Sequence, residues 1–374
     1  MTARNYFNHA GCSIITERTK RAVVAQLELE AQLGSFMAEQ ATVTERYTLL
    51  ELAAKAIGAS ASDMTLTDSH TTGWAKALQV LNIKSGDVLL TTRSEWGGNL
   101  KAMLHLAQQK GAIVKIVESD DRGATNVECL KSLISPKVKL ISVAWLGSNG
   151  GHLEPAQAIG AVANAHGVPF FLDASQVVGQ APVDVNVLGC DVLTTPGRKW
   201  LRGPKGTGLM YMRSGFLANL QEAGAFEGML EQGESVTARH FEAPSTSCPL
   251  HMGLKTALEQ FHETGAEALQ QQILANTCGI WEGLRTIPQV KFLCDHSPEH
   301  GLLSFAVQGR TATDVKTHLM AKGIEVAANQ AAFTPLDMQT RELAAVVRVS
   351  PQASTAPGEI DALVREIHTL CNRA

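Results

Sequence analysis

Residues 170–213 read FFLDASQVVGQAPVDVNVLGCDVLTTPGRKWLRGPKGTGLMYMR. Two apolar runs in it, FFLDAS and DVLTTP, end in polar residues, and a glycine-rich turn carrying Arg198, Lys199, Arg202 and Lys205 leads into a third, LMYMR. Four glycines and two prolines within 194–208 exclude a helix interior, so this stretch is a strand, a turn and the start of another strand. On either side the same rhythm continues. Strands are predicted at 87–94, 112–119, 138–146, 168–175 and 191–196, and helical periodicity at 97–111 and 154–167 closes on glycine each time. Alternation of this kind predicts an α/β chain with a mostly parallel sheet covered on both faces. Near residue 245 the character changes to one long helical stretch reaching about 285, followed by LLSFAV, IEVAA, AVVRVS and a closing amphipathic helix, EIDALVREIHTLC. The expected organisation is an N-terminal segment over 1–20, a large domain over 21–245, and an interdomain helix with a small α+β domain over 246–374.

Composition narrows the function classes. The chain has 374 residues, 45% of them hydrophobic, and 32 basic against 36 acidic residues give a net charge of −4. No basic run interrupts it, which argues against nucleic acid as a partner. MTARNYFNHAGCS holds no basic segment followed by an apolar core, and no apolar run nears the roughly 18 residues of a membrane span, so a cytoplasmic protein is expected. Seven cysteines without a CxxC pair suit neither a disulfide framework nor zinc, the histidines are dispersed, and no metal is expected. GPKGTG is not a nucleotide loop, because Lys205 precedes a glycine and not a serine or threonine.

Ligands of open parallel sheets gather outside the carboxyl ends of the strands. Asp173 ends FFLDAS, and a carboxylate there needs a cation or donor facing it. One strand later Lys199 follows a glycine and Arg198. A buried lysine among cations loses basicity and forms a Schiff base with a carbonyl compound, while an aspartate holds a pyridinium nitrogen protonated; together they suit pyridoxal phosphate. Ser69, Thr71 and Thr72 open a helix after MTLT, where they serve either an anion or an ordinary N-cap. Trp96 in RSEWGGN offers a face to a ring or packs in the core.

The run 170–213, with YFNHAGCS near the start and VRVSPQASTAPGEID near the end, resembles the class V aminotransferase-like, fold type I pyridoxal phosphate enzymes. That resemblance implies a large domain with a mostly parallel seven-stranded sheet, a smaller C-terminal α+β domain, and a homodimer with shared active sites. It implies Lys199 as the Schiff-base lysine, Asp173 as the partner of the ring nitrogen, and Gln176 near the ring's 3′-oxygen, with Ser148 or Asn149 beside it. Trp96 would stack on the ring. Thr71, Thr72 and Arg198 would meet the phosphate, Ser245 would reach it from the second subunit, and Arg348 would bind the α-carboxylate of an amino acid substrate. Relatives often carry a hydroxyl where this chain has Pro196, so either Thr195 takes over that contact or it is missing. Arg202 and Lys205 read as loop or interface charges. Residues 323–338 contain no cysteine, so sulfur removal by a cysteine nucleophile is not expected, and Cys294 in VKFLCD reads as a buried strand position. The combination of YFNHAGCS, TRSEWGGNL and GRKWLRGPKGTG looks most like the C–S lyases of the ergothioneine pathway. That implies β-elimination from a cysteine conjugate or sulfoxide, with His9 or Cys12 approaching the leaving group. An aminotransferase or epimerase of a small amino acid, or a binding protein without catalysis, shares the same constellation.

Overall fold

The alternation that begins at residue 64 becomes seven strands in one sheet. A computed structural model describes residues 5–222, 224 and 234–372, so residues 1–4 of the N-terminal segment lie outside the described residues. In chain order the strands are β1 (Asn5–Tyr6), β2 (Met64–Thr67), β3 (Val88–Thr91), β4 (Ile113–Ile116), β5 (Val138–Ala144), β6 (Phe170–Asp173) and β7 (Val192–Pro196). There follow β8 (Gly208–Met212), β9 (Val290–Phe292), β10 (Leu303–Val307), β11 (Ile324–Glu325), β12 (Ala327–Gln330) and β13 (Ala345–Val349). The large sheet runs β2-β8-β7-β6-β5-β3-β4. Its pairs from β7 through β4 are parallel, and β8 runs antiparallel to both β7 and β2.

Strand β6 shows why the sequence is continuously apolar. Phe170 and Leu172 pack into the core on one face of the sheet, and Phe171 packs into the other with Leu89, Leu140, Val192 and Met210. Successive strand residues point to opposite faces, so a strand covered by helices on both sides must be apolar throughout. Each buried phenylalanine contributes roughly 1.5–3 kcal/mol. Only the strand ends are then left for polar chemistry.

A second sheet, β12-β13-β10-β9, is antiparallel and packs its core against the helices Ala266–Leu284, Ala312–Ala321 and Pro357–Cys371. The N-terminal β1 pairs in parallel with β11 in a separate two-stranded sheet, which brings the start of the chain close to β12. The helical stretch expected to run unbroken to about 285 divides at Gly265, whose φ of 86° separates Cys248–Thr264 from Ala266–Leu284. Glycine takes that φ without the Cβ penalty other residues meet, so the amphipathic pattern continues across a real turn. Among the described residues no helix is long and apolar enough to cross a membrane.

Candidate active site

Where β5, β6 and β7 end, their loops meet β12, β13 and the N-terminal segment around a cavity of about 770 Å³. Asp173, Lys199 and Arg348 all line it. Asp173 is the last residue of β6 and is 5% exposed. Its carboxylate accepts the Ser175 N–H at 2.9 Å and the Asn99 amide at 3.3 Å, and His70 Nε2 lies 3.2 Å away. These donors hold its orientation.

Lys199 sits in the turn after β7, also buried. Burial pulls its ammonium pKa down to about 7; Asp173 opposes that shift, while Arg198 and Arg348 reinforce it. An amine of this kind is a base and a nucleophile near neutral pH. Arg348, the penultimate residue of β13, donates from Nη1 to the Ser148 carbonyl at 2.7 Å and from Nη2 to Asn8 Oδ1 at 3.2 Å, while its buried Nε has no partner. Burial, with Arg198 nearby, pushes its pKa down to about 10. A fully buried guanidinium with an idle donor fits a carboxylate.

At the other end of the cavity Asp68, Ser69, His70 and Thr71 present the N-terminus of the helix His70–Gln79, with Lys205 and Thr207 opposite. Lys205, read from the sequence as a loop or interface charge, is therefore part of the cavity wall. Thr71 faces the cavity, whereas Thr72 does not line it. The Thr72 N–H donates to the N-cap Ser69 Oγ at 3.1 Å, and the two hydroxyls lie 3.1 Å apart. Thr195 does not stand in for the hydroxyl that Pro196 replaces. Strand alternation turns Thr194 and Pro196 to one side and Thr195 to the other, where its buried hydroxyl has no partner.

The remaining expected residues divide similarly. Trp96, Ser148, Gln176 and Arg198 line the cavity. Gln176 is already engaged, donating to the Ala10 carbonyl at 3.1 Å and accepting from Trp200 Nε1 at 3.0 Å. Arg198 donates to the Gly11 carbonyl. Asn149 points away, to the Gln330 carbonyl at 3.2 Å and Asn329 at 3.0 Å, so of the two neighbours Ser148 is the one at the cavity. From the N-terminal segment Asn8, Ala10 and Gly11 reach the cavity; His9 and Cys12 do not. His9 is buried against Tyr6 with Nδ1 3.0 Å from Ser13 Oγ, and burial lowers its pKa to about 3. Ser245 is exposed and lies outside the cavity of its own chain.

Three residues were not anticipated, His70 in the cavity wall and Asn99 and Glu95 beneath it. His70 donates through Nε2 toward Asn99 Oδ1 at 3.1 Å, and its Nδ1 lies 2.7 Å from the Thr194 hydroxyl. Burial lowers its pKa, which makes the neutral ring the donor beside Asp173. Asn99 bridges Asp173 to Glu95, to which it donates at 3.0 Å. Burial raises the Glu95 carboxyl to about 7, against hydrogen bonds from Ser142, Asn99 and Thr91. The only sequence signals were their positions beside Thr71 and Trp96.

The glycines of WGGN have steric reasons. A Cβ on Gly98 would stand 2.0 Å from the Trp96 ring, and one on Gly97 would stand 2.0 Å from the Ala332 carbonyl oxygen. Gly98→Ala is therefore expected to displace Trp96 and to weaken binding of a planar cofactor roughly 10-fold, about the cost of modest overpacking. Fluorescence titration of the cofactor-free protein measures this; unchanged affinity would remove Trp96 from the binding surface.

The donor set fits pyridoxal phosphate. A weakly basic lysine, an oriented carboxylate, an aromatic face and a helix N-terminus flanked by Lys205 meet the aldehyde, ring nitrogen, ring and phosphate of that molecule.

Comparison with known proteins agrees with this geometry. The family model described as aminotransferase class-V matches residues 6–363. A probable cysteine desulfurase of a Synechocystis species is 30% identical over 267 residues, covering 68% of this chain and 63% of that protein. A cysteine desulfurase of Pectobacterium atrosepticum is 28% identical over 298 residues, covering 77% and 72%. Among solved structures, a cysteine desulfurase of Thermococcus onnurineus superposes with a TM-score of 0.87 at 22% identity over 99% of this chain and 95% of that one. A cystine C–S lyase in complex with its reaction product cysteine persulfide gives 0.86 at 24% identity over 98% of both chains. At these identities the structural likeness is one of fold.

Proposed function

The chain belongs to the aminotransferase class-V family, and from that membership we propose a pyridoxal-phosphate-dependent C–S lyase that removes a sulfur leaving group from the β-carbon of a cysteine conjugate or sulfoxide. The observation that carries this reading is the cavity itself. Lys199, Asp173 and Arg348 converge in it, and none of the seven cysteines lines it. A desulfurase needs a thiol to take the sulfur atom; an elimination needs a base and a carboxylate clamp. The cystine lyase whose fold this chain shares is a precedent for that chemistry on the same scaffold.

In this reading Asp173, Trp96, the Ser69–Thr71 helix start and Lys205 hold the cofactor. Bound there, pyridoxal phosphate supplies a ring that accepts the electron pair left at the substrate α-carbon. Arg348 holds the α-carboxylate through Nε and Nη2 and fixes which bond faces Lys199. Lys199, its amine made weakly basic by burial, takes the α-proton. Ser148 and Asn8 hold Arg348 in place. A homodimer with sites shared through Ser245, in the cytoplasm, completes the proposal. The exposed Phe36, Met37 and Tyr47 on neighbouring helices support a subunit contact, Phe36 being 90% exposed.

The test is product analysis with a panel of cysteine conjugates and sulfoxides. Pyruvate and ammonia should appear in equal amounts with no 2-oxo acid added. Strict dependence on an added 2-oxo acid would mark an aminotransferase instead, and racemised substrate without pyruvate an epimerase.

A further inference from the structure

We propose that His152, Cys294 and His296 form a binding site for a zinc-class divalent cation at the seam between the two sheets. His152 comes from the loop between β5 and the helix Ala156–Ala165, whereas Cys294 and His296 follow β9. Cys294 Sγ lies 3.8 Å from His152 Nε2, His296 Nε2 lies 3.1 Å from His152 Nδ1, and one donor atom from each residue falls within 4.8 Å of the others. Zinc bonds of about 2.3 Å to sulfur and 2.0–2.1 Å to nitrogen at tetrahedral angles put neighbouring donors roughly 3.3–3.6 Å apart. His296 is exposed, and its Nδ1 lies 2.8 Å from the Ser297 carbonyl, which leaves Nε2 as the atom facing His152. Two imidazoles and a thiol are a borderline-soft donor set, which suits zinc and not magnesium or calcium.

The surroundings agree. Asp120, Asp295, Glu299 and Asp337 act electrostatically on His152 or Cys294. Among the described residues, a cation that acts on both is Arg341, which is held by Asp337 at 2.9 and 3.0 Å and by the Leu293 carbonyl at 2.7 Å. A pocket of about 20 Å³ opens beside Cys294 and His296, and into it faces Ser304, 4% exposed, whose hydroxyl has no partner. That volume exceeds the roughly 10–15 Å³ a water needs. Water or Glu299, which lines the same pocket, supplies the fourth ligand. His300 is not a ligand, since its Nε2 bonds the Gly151 carbonyl at 2.9 Å and its Nδ1 accepts the Leu302 N–H at 3.2 Å. On binding, the Cys294 thiol releases its proton to solvent and the sulfur bonds the cation.

A cation here clasps the loop that carries Ser148 to the edge of the sheet in which β13 carries Arg348. His152 lies four residues beyond Ser148, and Ser304 of β10 pairs in register with Arg348. The role is structural, separate from the reaction proposed above. The absence of a metal expected from the sequence thus gives way to a cluster assembled across 142 residues of chain, a distance no short motif spans.

The experiment uses cofactor-loaded protein, stripped with a chelator, given Zn²⁺ and desalted, with metal counted by mass spectrometry and affinity read by competition with a chromogenic chelator. Roughly one zinc per chain is expected. Cys294→Ser, His152→Gln and His296→Gln should each weaken binding at least roughly 10-fold, the smaller end of what even outer-shell losses cost, while leaving the cofactor absorbance unchanged. Cobalt in place of zinc should show the visible d–d bands of a tetrahedral thiolate site, lost in Cys294→Ser. Because His296 is exposed, its replacement does not disturb packing, and zinc retained undiminished in His296→Gln overturns the proposal. So does wild-type protein that keeps no zinc.

Discussion

Lys199→Ala is expected to lower kcat by roughly 10²- to 10⁴-fold, the scale lost when a positioned base is removed. Among the described residues the other lysines and the histidine lining the cavity are Lys205, Lys316 and His70, and none is placed as Lys199 is. His70 lines the cavity but is locked between Thr194 and Asn99, its proton already committed beside Asp173. Lys205 and Lys316 also line the wall but are less buried than Lys199, Lys205 being exposed beside the helix N-terminus. Truncation at Lys199 removes an amine whose burial among Arg198 and Arg348 is unfavourable for folding, so the variant should fold at least as well as the parent. Steady-state product release measures the loss, and circular dichroism checks the fold. Borohydride reduction and peptide mapping of the parent protein should find the cofactor attached to Lys199. Attachment at Lys205, or a Lys199→Ala protein that keeps more than a tenth of the parent rate, would overturn the assignment.

The parts of this site that were legible in the sequence are those set by the ends of apolar strands. Asp173 and Lys199 could be placed because FFLDAS and DVLTTP announce their strands and both side chains follow within a few residues. Arg348 was placed through the family resemblance and not through any local pattern. What escaped was the layer around Asp173. His70, Glu95 and Asn99 meet Asp173 only because β2, β3 and β6 end at the same level, and nothing in SHTTG or SEWGGN separates a buried donor from a helix cap. Thr195 shows the other limit. A one-residue step along a strand reverses the face, so whether Thr195 can replace the hydroxyl missing at Pro196 rests on the side to which it points, in a strand whose register the antiparallel pairing of Pro196 with Gly208 sets from outside. Gly265 and the His152 cluster escaped for related reasons, one a backbone turn hidden inside a helical pattern, the other a meeting of two loops from different sheets.

Asp173→Asn is expected to lower kcat by roughly 10²- to 10³-fold, the scale of losing one well-placed electrostatic partner in a buried site. The substitution keeps the shape and the Ser175 and Asn99 contacts within reach, so the loss reports charge. Its second effect is on Lys199. Asp173 holds the Lys199 pKa up against burial and two arginines, and the value nonetheless falls to about 7. With the charge gone the value must fall further. Condensation of the cofactor aldehyde with an amine needs the neutral amine, so the rate of cofactor uptake by the cofactor-free protein should rise with pH through about 7 in the parent and at a lower pH in Asp173→Asn. Stability moves with the same proton. Between about 7 and the ordinary lysine value of 10.5 the unfolded chain binds a proton that folded Lys199 has released, so the stability of the cofactor-free protein rises with pH across that window. Asp173→Asn extends the window downward. Stopped-flow uptake and urea unfolding at stepped pH measure both. An uptake midpoint that stays put, or moves up, would mean that Asp173 does not face Lys199 electrostatically, and the pairing on which the site is built would fail.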